Sequence, residues 1–233
     1  MANIYGAFEA VAVFLVGLAA RAGMVLALVI LLSVPVLLIA AMMRGAGELK
    51  KKSLGLREVA GLIFRPDAWY SAGHTWLTRL SGGSLRIGLD ALALRLMPTV
   101  NAVELKPAGT RVTRGSTIAT IHAGARSLAI RSPVDGVVVA ANAAALRDPS
   151  LVKTDGYGRG WLVTVAPADM AFASLPSGRT AESFLREEAA RWNHFVEARL
   201  GYAAADGGEL TAPAPWLLGD KGWRELADAF VDR

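Results

Sequence analysis

The sequence predicts a single transmembrane α-helix followed by a β-rich domain, a compact sandwich or small barrel, with flanking α-helices. Three observations carry this. Residues 22–43 contain no charged side chain, residues from His74 onward alternate apolar and polar in short runs between turn residues, and residues beyond Asp169 return to a helical period. A hydrophobic share of 53% sends the search to a membrane segment first. Cysteine is absent, which excludes disulfides and thiolate metal sites. The three histidines, His74, His122 and His194, are too scattered for a zinc motif.

The uncharged run "AGMVLALVILLSVPVLLIAAMM" (22–43) is bounded by Arg21 and Arg44. As a helix it reaches roughly 33 Å, enough for a hydrocarbon core of about 30 Å. The first twenty residues carry neither Lys nor Arg, and no small-residue cleavage pattern follows the run, so it reads as a retained anchor rather than a signal peptide. Residues 1–21 are apolar apart from Glu9 and Arg21, and either lengthen the span or lie at the interface. Charge is unevenly distributed. Residues 44–131 hold 14 Lys and Arg against 5 Asp and Glu, a net of +9, and residues 132–233 hold 10 against 14, a net of −4. Arg44, Lys50, Lys51 and Lys52 directly follow the span, which places the C-terminal bulk on the cytoplasmic side of an inner membrane. The same four residues are candidate contacts for lipid phosphates. A basic cluster beside a span points to the bilayer rather than to nucleic acid.

Residues 44–73 read as a basic juxtamembrane connector. Leu54, Val59, Leu62, Ile63 and Phe64 suggest a short amphipathic helix stopped by Pro66. Residues 74–169 form the β domain. Its expected strands are 84–89, 100–106, 116–123, 127–132, 136–142 and 160–167, with a helical turn over 90–96 capped by Asp90. Gly109, Gly115 and Gly136 fall at turns that call for positive φ. Residues 170–233 are a helical C-terminal extension. Residues 180–201 form one amphipathic helix bearing Phe184, Leu185, Trp192, Phe195, Val196 and Leu200 on one side, and a last short helix lies near 220–231. Glu187 and Glu188 are adjacent on that first helix and read as solvated charges.

Three segments taken in order carry a resemblance: "HTWL" (74–77), "IGLDALALRLMPTVNAVELKPAGTRVTRG" (87–115) and "SPVDGVVVAANAAALRDPSLVKTDGYGRGWLVTV" (132–165). Together they resemble the H protein of the glycine cleavage system. The resemblance implies a hammerhead, or barrel-sandwich hybrid, of two β-sheets related to lipoyl and biotinyl carrier domains. It also implies a lysine on an exposed tight hairpin that carries lipoate. The family's spacing, seven positions before Ser132, places Ala125 there, and His122 stands where an acidic residue is expected three positions earlier. Alanine has no amine and Arg126 beside it stays protonated, so neither forms the amide.

No other catalytic pattern emerges, since Gly158-Arg159-Gly160-Trp161 lacks the third glycine and the following helix of a dinucleotide fingerprint. The sequence therefore predicts a protein that is not an enzyme and holds neither cofactor nor metal. The expected role is a membrane-anchored accessory or scaffold subunit docking on a larger membrane complex, with respiratory and photosynthetic complexes as the class considered. The alternative is a membrane-tethered carrier or partner in lipoate-linked glycine cleavage and one-carbon metabolism. A third reading makes the Arg126 loop a lipid or ligand sensor. His122, Arg126, Arg131, Trp216 and Trp223 are the candidate docking residues; expected partners are other membrane subunits and the bilayer.

Overall fold

The computed structural model describes residues 2–200 and 219–232, in two compact units that divide between Ser53 and Leu54. The first unit is one helix, α1 (Ala2–Ser53), which runs without a break through Pro35. Within it Val13–Met42 is long and apolar enough, by length and composition, to cross a membrane. Large apolar side chains such as Phe14, Leu26, Leu32 and Ile39 are exposed along it. Residues 2–21 thus belong to α1 and form no separate helix, because nothing in them interrupts the helical ladder. The side chains of Arg44, Lys50 and Lys51 lie outside the described residues; Lys52 is exposed.

The second unit begins with two short strands where a helix was expected. Strands β1 (Arg57–Val59) and β2 (Leu62–Phe64) pair with Val59 opposite Leu62. Ala60 and Gly61 between them both have positive φ, 48° and 73°, the pattern of a two-residue hairpin turn. Val59, Leu62 and Phe64 are buried, so the three apolar residues that mimic helical spacing instead share one face of a hairpin. Residues 54–73 are accordingly part of the packed domain and not a connector.

Two further antiparallel sheets follow. Strands β3 (Trp69–Tyr70), β4 (Thr75–Arg79), β5 (Leu85–Leu89), β7 (Arg111–Val112), β10 (Gly136–Ala141) and β11 (Val163–Pro167) form a six-stranded sheet ordered β3-β4-β5-β11-β10-β7. Strands β6 (Ala102–Leu105), β8 (Thr117–Ala123) and β9 (Arg126–Arg131) form a three-stranded sheet ordered β6-β8-β9. The period-two pattern puts Leu85, Ile87, Val163 and Val165 of the first sheet and Ile121, Leu128 and Ile130 of the second into one contiguous core. Helix α2 (Ala91–Arg95) starts at Asp90 as expected, whose carboxylate accepts hydrogen bonds from the Leu92 and Ala93 amides at 2.9 and 3.0 Å. Two short helices, α3 (Ala143–Arg147) and α4 (Leu151–Thr154), connect β10 to β11. Tyr70, fully buried, accepts a hydrogen bond from the Arg65 amide at 2.7 Å, and Tyr157 donates to the Ile63 carbonyl at 3.0 Å, so both rings fasten the β1–β2 segment to the sheets.

Gly109 and Gly115 have the expected positive φ, but Gly136 does not. Its reason is space. A Cβ there would lie 2.2 Å from the Ala166 carbonyl oxygen, on the partner strand β11. Gly136→Ala is expected to lower stability by roughly 3 kcal/mol, since backbone and not a flexible side chain must yield. Chemical denaturation of the detergent-solubilised chain checks this.

Helices α5 (Gly178–Leu200) and α6 (Gly219–Phe230) complete the domain. Leu185, Trp192 and Val196 of α5 and Trp223, Leu226 and Phe230 of α6 are buried in the same core as the sheets. The Phe230 ring meets Trp192 edge-on at 5.3 Å and Phe195 at 6.1 Å. These helices are an integral wall of the domain rather than an appended extension.

Candidate functional site

The site is the β8–β9 hairpin and what packs beside it. Six residue pairs hold its register, ending with His122 opposite Ser127 and Ala123 opposite Arg126. Only Gly124 and Ala125 remain for the loop. Gly124 has φ of 63°, suited to the first position of a tight hairpin turn, and its amide donates to Asn101 Oδ1 at 3.1 Å. Ala125 is exposed at the tip.

A lipoyl arm on this hairpin, as the resemblance implies, would need a lysine amine, and the sequence contains no lysine between Lys106 and Lys153. Lys153 is committed elsewhere. Its ammonium donates to the carbonyls of Leu94 in α2 and of Met97 just after it, and burial lowers its pKa, helped by the nearby Arg95 charge. The residues of this hairpin therefore do not fit the lipoyl group.

The candidate docking residues are placed as follows. His122 is half-buried and its Nε2 lies 3.2 Å from Glu104 Oε1 on the neighbouring strand, an intramolecular cross-strand pair. Arg126 lies over the Trp223 ring, its guanidinium carbon 5.5 Å from the ring centre, and donates to Asp220 Oδ1 through Nε and Nη2 at 3.4 and 3.3 Å. Arg131 donates to Asp232 Oδ1 at 2.6 Å and to Thr117 Oγ1 at 3.2 Å. Trp223 is buried and donates its Nε1 hydrogen to the Leu96 carbonyl at 2.8 Å. Arg126 and Trp223 are thus brought together beside Asp220 of α6, while Arg131 is paired separately with Asp232 after α6 and with Thr117. Trp216 lies outside the described residues.

Sequence reasoning missed a second constellation. His74 is fully buried at positive φ of 55°, with Nδ1 2.8 Å from Asp90 Oδ2 and Nε2 3.2 Å from Glu188 Oε2. Glu188 is also 2.6 Å from Arg191 Nη2, and the rings of Phe184 and Phe230 flank the imidazole at 6.0 and 6.2 Å. Burial pulls the His74 pKa down, but the charges and hydrogen bonds of Asp90 and Glu188 outweigh it and raise it to about 9. The imidazolium is therefore present at neutral pH, in a sealed site where no substrate reaches it. Glu188 is buried, unlike exposed Glu187, so it is no solvated charge. The signal was available: Glu188 falls four residues from Phe184 and from Trp192, on the apolar stripe of α5.

Known proteins match this same region. The family described as "Glycine cleavage H-protein" matches residues 68–188, more than half of the chain. This chain belongs to the glycine cleavage H-protein family. The glycine cleavage system H protein of Shewanella loihica is 34% identical over 102 residues, covering 44% of this chain and 79% of its own. That of Mycobacterium avium is 33% identical over 116 residues, covering 50% and 86%. The crystal structure of a glycine cleavage system H protein from Mycobacterium marinum aligns at 26% identity and a TM-score of 0.47, over 53% of this chain and 99% of that one. The H-protein match starts at residue 68, within the segment read from sequence as connector.

Proposed function

We propose that this chain is a non-catalytic, membrane-tethered member of the H-protein family. It acts as a partner protein in lipoate-linked glycine cleavage or one-carbon metabolism without carrying a lipoyl arm itself. The carrying observation is the β8–β9 hairpin, in continuous register from Ala119 to its last pair yet ending in Gly124-Ala125 with no amine to load. Helix α1 supplies the tether through Val13–Met42, with Arg44, Lys50, Lys51 and Lys52 at lipid phosphates and the H-protein-like domain in the cytoplasm.

One observation favours a second reading, an accessory subunit of a larger membrane complex. The candidate span Val13–Met42, apolar apart from Arg21, reaches roughly 45 Å as a helix, beyond the ~30 Å of a hydrocarbon core, and so offers apolar surface for neighbouring spans. Purification from native membranes through a tag after Arg233, with intact-mass measurement, tests both. The expected result is an unmodified mass together with co-purified lipoate-dependent enzymes. Membrane-complex subunits in their place support the second reading, while an added mass of about 190 Da, that of a lipoyl group, ends the non-carrier proposal. Recovery as a lone monomer removes both readings.

A further inference from the structure

Beside the hairpin tip lies a cleft of about 330 Å³ lined by Ala125, Arg126, Ser127, Asp220, Trp223 and Arg224. We propose that this cleft binds a small organic carboxylate. The proposal is independent of the family role given above.

The volume is at the lower end of that of small-molecule sites. Arg126 is the recognition group, and its plane is set in advance. Its side chain is only 17% exposed, it lies over the Trp223 ring, and that ring is buried and fixed by its hydrogen bond to Leu96. A guanidinium held this way loses little freedom when it binds, and its fork matches a planar carboxylate. A carboxylate already sits on its Nε and Nη2, which identifies the chemistry. The seat is a poor one: a single oxygen of Asp220 serves both Nε and Nη2 at 3.3 to 3.4 Å, and the Asp220 side chain is 80% exposed. Long contacts to an exposed acid are weak. A free carboxylate presenting two oxygens makes two shorter bonds and displaces Asp220 into solvent. Arg224, one turn along α6 from Asp220, adds a second cation on the same wall, and the N-terminal end of the twelve-residue α6 adds to the positive potential. Ala125 and Ser127 contribute only short side chains to the lining.

The test uses the full chain in detergent micelles with 15N-labelled indoles, one of the six tryptophan signals being assigned to Trp223 by Trp223→Phe. Acetate and succinate are expected to move the Trp223 signal saturably, and inorganic phosphate at equal ionic strength to do so at least about tenfold more weakly. Arg126→Gln is expected to weaken succinate binding at least about tenfold. Asp220→Asn, at an exposed position, is expected to tighten it about fivefold by removing the internal competitor. Unchanged signals from the other indoles show that each variant is folded. No saturable shift, equal response to phosphate, unaltered binding by Arg126→Gln or weaker binding by Asp220→Asn overturns the proposal.

Discussion

His74→Leu is expected to destabilise the H-protein-like domain by about 3–5 kcal/mol at pH 7, the range for removing one partner from a buried ion pair. Leucine fills much of the space between the Phe184 and Phe230 rings, so the loss is chiefly electrostatic. Asp90 loses the imidazolium 2.8 Å away and Glu188 loses it at 3.2 Å, leaving Glu188 with Arg191 alone and Asp90 with the α2 amides. A pH profile separates this from simple repacking. The folded-state pKa of about 9 lies above the ordinary value of 6.5, so the contribution of His74 is complete below pH 6.5 and is lost as pH rises through 9. The groups facing the imidazole are Asp90 before α2, Glu188 and, through it, Arg191 of α5, and the two phenylalanine rings. Denaturant unfolding in detergent is expected to show the parent chain losing on the order of 3 kcal/mol across that window, while His74→Leu loses much less. Parallel profiles for the two proteins refute the assignment of a charged His74.

Ala125→Lys is expected to convert the hairpin from inert to chemically loadable. The position is exposed in a two-residue loop, and Gly124 already provides the positive φ that the turn requires. A lysine there extends an amine into solvent. Incubation of the full chain with lipoate, ATP and a lipoate ligase should leave the parent unmodified and add about 190 Da to the variant. His122→Glu, restoring an acid three residues earlier, should raise the modification rate about tenfold in the double variant, about 1.4 kcal/mol in activation free energy. If neither variant is modified, the hairpin is not read as a carrier hairpin, and the proposal of a disarmed H protein loses its main support. Modification of the parent chain itself points to a different acceptor and ends it.

How legible this molecule was depended on whether the information was local. Strands β8, β9 and β10 are rich in β-formers and their turns are marked, so their positions followed from the sequence to within one residue although β8 and β10 each carry a bulge. Asp90 was readable as a cap for the same reason: its partners, the amides of Leu92 and Ala93, are two and three residues away. The β1–β2 hairpin was misread because Leu54, Val59, Leu62 and Ile63 satisfy a helical spacing as well as a strand one, and the turn residue Ala60 gives no hint of positive φ. The contacts that hold Arg126, Arg131 and Trp223 in place were not legible in the sequence for a different reason. Their partners Asp220, Asp232 and Leu96 are 94, 101 and 127 residues away, and no local pattern encodes such pairings. Glu188 lay between these cases: its place on the apolar stripe called for a buried partner without saying which.

The contribution of α6 to the core has a consequence for biosynthesis. His74 waits for Glu188, 114 residues later, and the Leu96 carbonyl for Trp223, 127 residues later, so contacts that close the core join early segments to late ones. Such long separations slow folding and prolong the life of unfinished states. On the ribosome, α1 emerges well before Phe230, and the apolar sockets for Trp223 and Phe230 stay open until translation has passed them. Any bilayer insertion of α1 can therefore precede completion of the β domain, and a nascent chain halted before α6 becomes a substrate for chaperones.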